Sequence, residues 1–159
     1  MINQMTSFAP MDTKEPEPAA MALQPETFFI KRMGLRPLRF DGVELCMAMS
    51  FVAGAPMWFE INIYRKLQQD FVVCLKHYHR DEDEQDICRA WECKDFEAVM
   101  ITLETYDPAR DLRVDVSFDD DMSVPDLAAH ALGLRARAAE ARRQYSGLVG
   151  EILFDLERD

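Results

Sequence analysis

The feature that most constrains this chain is an apolar stripe toward its C-terminus. Leu127, Ala131, Leu134, Ala138, Ala141, Tyr145, Leu148 and Ile152 recur at spacings of four and three, the period of one face of an α-helix. Ser123-Val124-Pro125-Asp126 stands just before the stripe. It supplies a hydroxyl N-cap, a proline for the first turn and a carboxylate beside the positive end of the helix dipole. The pattern predicts a long amphipathic helix within 123–159, which must lay its stripe either on the rest of this chain or on another protein.

Charge narrows that choice. Arg135, Arg137, Arg142 and Arg143 form a basic belt beside the stripe. In a parallel coiled-coil dimer Arg137 at position g would face Arg142 at position e of the partner, so like charges disfavour that arrangement among possible homo-oligomers. The belt instead suits an acidic surface, either the chain's own sheet or a partner protein. The simplest reading is a strap across its own sheet. Gly133, Gly147 and Gly150 weaken the helix by about 1 kcal/mol each relative to alanine, which predicts a bend or a close helix contact near them.

Upstream, the period changes from helical to alternating. Phe40-Asp41-Gly42-Val43 carries the Asp-Gly pair of tight hairpins, and Val43, Leu45, Met47 and Met49 then alternate with Glu44, Cys46, Ala48 and Ser50. Trp58 to Arg65 alternates most clearly, with Phe59, Ile61 and Ile63 on one face and Trp58, Glu60, Asn62 and Tyr64 on the other. Phe71 to His79 has the aromatic and β-branched content of a strand, and residues 87–93 return after the acidic loop 81–86. Asp95 caps a short helix that carries Phe96, Val99, Met100, Leu103 and Tyr106 and stops at Pro108, and residues 112–118 alternate as a last edge strand.

These elements predict an α+β domain: an antiparallel meander of about four to five strands, one short helix and a long C-terminal amphipathic helix. Residues 1–25 hold Pro10, Pro16, Pro18 and Pro25 without a sustained apolar period, which predicts a disordered arm. The boundaries read as arm 1–25, sheet plus short helix 26–122, and long helix 123–159 packed on the sheet.

A net charge of −11 repels polyanions, which sets nucleic acid aside as a partner. Mimicry of nucleic-acid charge would need the acidic residues ordered along one face. No apolar run approaches the roughly 20 residues that span a bilayer. The N-terminus also lacks the basic and apolar regions of a secretory signal, so the expectation is a cytoplasmic chain without a membrane partner. Cys46, Cys74, Cys88 and Cys93 form no C-x-x-C and read as reduced packing thiols.

The chemistry-bearing residues form no catalytic signature, phosphate loop or metal cage, so no cofactor is predicted. His77 and His79 share one strand face, acceptable for a metal only if further ligands converge. One reading is a small-molecule-binding or enzymatic domain with a pocket between sheet and helix, with His77, His79 and Glu60 as its polar groups. The stronger expectation is a non-enzymatic interaction module, such as an adaptor, inhibitor or regulatory subunit, binding another protein. Its candidate residues are Trp58, Glu60, Tyr64, Lys76 and Tyr78 on one sheet face, with Arg135, Arg137 and Arg142 on the long helix, because aromatic residues mixed with single charges bring large contact area at small entropic cost.

Overall fold

The computed structural model describes residues 24–114 and 121–157. Five strands, β1 (Glu26–Arg32), β2 (Leu35–Met49), β3 (Met57–Lys66), β4 (Phe71–His79) and β5 (Ile87–Cys93), form one sheet in chain order. Each is antiparallel to the next. Helix α1 (Phe96–Thr105), a 3₁₀ turn at Pro108–Asp111 and helix α2 (Val124–Leu156) follow. This is the predicted α+β meander. Of the predicted arm, only Gln24 and Pro25 fall among the described residues, and 115–118 of the predicted edge strand fall outside them; residues 112–114 are not strand.

The predicted Asp41-Gly42 hairpin is not a turn. The chain reverses instead at Gly34, whose φ of 72° suits a residue without a side chain, while Asp41 and Gly42 lie inside the 15-residue β2. Gly42 is the point where β2 changes neighbours: it faces Glu26 of β1 on one edge and Lys66 of β3 on the other. A methyl there would sit 2.3 Å from the Arg65 carbonyl oxygen, so close backbone approach explains the glycine.

A second departure follows at once. Between Glu44 and Cys46 the β2–β3 register shifts by a bulge, so Glu44 faces Tyr64 but Cys46 faces Ile63 and Met47 faces Asn62. One extra residue sends every later side chain to the opposite face. Leu45, Cys46 and Ala48 therefore pack against the core under the helices. Met47 and Met49, expected on the same face as Val43 and Leu45, turn to the other side, where they are 55% and 42% exposed.

The sheet has two differently covered faces. On one, Phe59, Ile61, Ile63, Val73 and Leu75 meet Val99 and Leu103 of α1 and Ala141, Tyr145, Leu148 and Ile152 of α2. Burying one such side chain contributes about 1.5–3 kcal/mol. On the other face the β1–β2 hairpin curls back toward β5, joined to it by Met33 N–H donating to the Cys88 carbonyl at 2.8 Å. Ile30, Phe40, Tyr64, Val72, Cys74 and Ala90 fill the space inside that curl.

Ser123 and Asp95 cap α2 and α1 as predicted, accepting from the N–H groups of Asp126 and Ala98. The α2 stripe, however, divides. Ala141, Tyr145, Leu148 and Ile152 are buried, as is neighbouring Val149, whereas Leu127, 44% exposed, and Ala131 stand in the open. The second half straps the sheet and the first half extends beyond it. Among the described residues no close helix contact involves Gly133, Gly147 or Gly150, with nothing within 4 Å of a would-be Cβ. No helix among the described residues is long and apolar enough to cross a membrane.

Candidate functional site

The face that carries Trp58, Glu60, Asn62 and Tyr64 is not the one under α2. Strand pairing places Met49, Glu60, Lys76 and Cys88 in one cross-strand row and Met47, Asn62, Cys74 and Ala90 in the next. The curl of the β1–β2 hairpin reaches some of these rows and stops short of others, because β1 pairs with β2 only as far as Gly42.

Tyr64 belongs to the closed end. Its ring lies 4.6 Å from Phe28 and 5.6 Å from Phe40. Burial, helped by Glu44, raises its phenol pKa above the ordinary range. At 6% exposure Tyr64 is core rather than a contact residue.

The remaining aromatics gather at the open end. Trp58 stacks on Tyr78 at 5.5 Å and meets Phe51 edge-on at 5.1 Å. Below them Glu60 accepts from Lys76 Nζ at 2.6 Å and from the Tyr78 hydroxyl at 3.2 Å. Burial alone would lower the Lys76 pKa, but the hydrogen bond and charge of Glu60 outweigh it and the net shift is upward. Lys76 is thus held as a cation beside the Glu60 carboxyl group. Asn62 donates to Glu44 at 2.8 Å, which fixes the strand beside it. Together with Met47 and Met49 these groups form a surface of aromatic and thioether side chains over an ion pair, suited to gripping apolar side chains.

The β2–β3 loop continues this surface around the sheet. Met49, Phe51 and Val52 line one wall of a groove of about 550 Å³, and Glu140, Gln144 and Glu151 of α2 line the other. Ser50 Oγ donates to Gln144 Oε1 at 3.1 Å and accepts from the Phe59 N–H at 2.9 Å, tying loop, sheet and helix together.

His77 and His79 lie elsewhere. His77 faces the helices, stacked on Phe59 at 4.5 Å with Nε2 3.3 Å from Met57 Sδ, and is 1% exposed. Burial lowers its pKa to about 4, with His79 adding to the effect. His79 sits 3.3 Å from Glu84. Because Glu60 projects from the opposite face of the sheet, the three groups expected to line one pocket do not converge. The loop 81–86 also does more than meet solvent: Asp86 accepts from the His79 N–H and Glu84 lies 3.7 Å from Arg137.

The arginine belt is largely engaged internally. Arg142 holds Asp107 through two hydrogen bonds of 2.9 and 2.7 Å, which with the Ala109 N–H keep that carboxyl below its usual range. Arg143 pairs with Glu140 on its own helix. Arg135 is exposed. All four cysteines are free thiols, and Cys74 and Cys88 approach to 3.9 Å.

Met47, Met49 and Phe51 were invisible as surface residues in the sequence. The first two follow from a bulge that leaves no glycine or proline at its position, and Phe51 belongs to a loop whose aromatic partner lies across the strand. No protein-family model matches this chain, and no curated protein or solved structure matches it.

Proposed function

We propose that the chain is a non-enzymatic protein-interaction module, of the adaptor, inhibitor or regulatory-subunit kind, that binds through the open end of its curled sheet face. The observation that carries this reading is the Phe51–Trp58–Tyr78 ladder beside two exposed methionines. Aromatic and methionine side chains of this sort, over an ion pair, supply contact area without leaving an unpaired buried charge.

The test is selection of a randomised peptide display library on the intact chain, followed by methyl NMR of its methionines with the selected peptides. The reading predicts that the Met47 and Met49 methyl signals move first and furthest. Selected peptides that leave both signals in place would defeat it.

A second reading draws on the first half of α2. Its exposed Leu127 and Ala131 continue the apolar stripe beyond the part that the sheet covers, which suits a helix-in-groove contact with a partner. Peptides selected by this surface would perturb Met122 and leave Met47 and Met49 unmoved.

A further inference from the structure

The open end adjoins an unfinished sheet edge. β2 pairs with β3 through Met49, yet on its outer edge β1 reaches only Gly42, so among the described residues the edge from 43 to 49 carries no strand. An edge of this kind presents alternate backbone N–H and C=O groups to any extended chain laid beside it. Its side chains are unequal on the two faces: Met47 and Met49 stand out on the open face, whereas Cys46 and Ala48 are packed beneath α2.

Along the helix side of that edge runs an acidic stripe. Glu140, Gln144, Glu151 and Asp155 follow one another at helical spacing, and the hydrogen bond from Ser50 to Gln144 holds that stripe beside the end of β2. Asp155 lies on the next turn of the stripe after Glu151, and together with Glu44 of β2 it adds to the rise that burial causes in the pKa of the Cys46 thiol. Arg143, the cation in the groove, is already bound by Glu140, and Glu151 has no ion-pair partner among the described residues. The whole chain carries a net charge of −11, so the field here also favours a cation.

From this edge, its methionines and its acidic flank, we infer that the partner adds an extended segment to β2 as a sixth strand, with alternating apolar and cationic side chains. Apolar side chains of the segment lie over Met47 and Met49, and lysines or arginines point to Glu151 and Asp155. The period of two in a strand is what sorts the two kinds of side chain onto the two flanks. This inference rests on the open end being the binding surface and adds to it the shape and charge of what is bound.

The experiment starts from the same peptide selection on the intact chain. Expected winners carry net positive charge with apolar residues at every second position. The double variant Glu151→Lys, Asp155→Lys, altered at two exposed helix positions, weakens them by about tenfold or more. Backbone N-methylation at one alternate set of residues weakens them by about tenfold or more and at the other set by about twofold or less, because only one set pairs with β2. Winners that are acidic or uncharged, or that tolerate N-methylation in both sets, overturn the inference; if they still move the Met47 and Met49 signals, the binding surface itself survives. Failure to enrich any peptide overturns the inference too, as does a dimer in light scattering that Met47→Lys dissociates, since the occupant is then a second copy.

Discussion

The two ends of one sheet face differ although the same strands build both. At the closed end Tyr64, Val72, Phe40 and Ile30 are sealed together by the folded-over β1–β2 hairpin. At the open end Trp58, Lys76 and Tyr78 remain partly exposed beside Met47 and Met49. Residue type alone does not make this difference, because both ends hold aromatic residues. The cause is the length of β1, which begins opposite Gly42, so that among the described residues no strand lies beside the remainder of β2. This contrast is what the proposed binding surface rests on.

The largest expected effect that sharpens the contrast is a pair of truncations. Phe40→Ala at the closed end removes a ring packed against Phe28 and Tyr64, and should cost about 3–5 kcal/mol in urea unfolding. Met49→Ala at the open end should cost less than about 1 kcal/mol. Equal costs would erase the distinction between the two ends.

His77 provides the next largest effect, on the helix-covered face. Burial lowers its pKa from 6.5 to about 4, so the unfolded chain binds this proton more readily than the folded one. Its contribution to stability is complete above pH 6.5 and is lost as the pH falls toward 4, by about 3 kcal/mol in all. Replacing it with an uncharged ring, His77→Phe, should flatten the stability profile across that window, as measured by urea unfolding at several pH values. A variant with the parent's profile would contradict the burial of this imidazole.

Gly42→Ala should cost about 1–3 kcal/mol, since the added methyl meets the Arg65 carbonyl at 2.3 Å and the backbone must give way. Thermal unfolding measures it, and a neutral outcome would mean that the strand crossing is looser than described. The smallest effect is expected for Phe51→Ser, which should leave stability within about 1 kcal/mol while reducing peptide binding.

Much of this fold was legible because local signals and tertiary packing agree. The alternation of Phe59, Ile61 and Ile63 marks the helix-covered face, and the caps at Asp95 and Ser123 mark both helix starts. The legible part of the site was Trp58, Glu60, Lys76 and Tyr78, which β3–β4 register brings together. Other features depend on partners distant in the chain. Asp41-Gly42 has the composition of a turn, but the approach of Arg65, 23 residues beyond Gly42 (65 − 42), decides its use. The β2 bulge transfers Met47 and Met49 to the open face without a local marker. The exposure of Leu127 is equally hidden, because the apolar stripe of α2 is longer than the sheet beneath it.

The central claim is that one end of the curled face is open in the intact chain. Methyl NMR with a soluble paramagnetic probe measures this directly. Met47 and Met49 should broaden strongly with added probe, whereas Met57, 5% exposed under the helices, should stay sharp. Met47 and Met49 signals as protected as that of Met57 would show the surface to be covered and contradict the account.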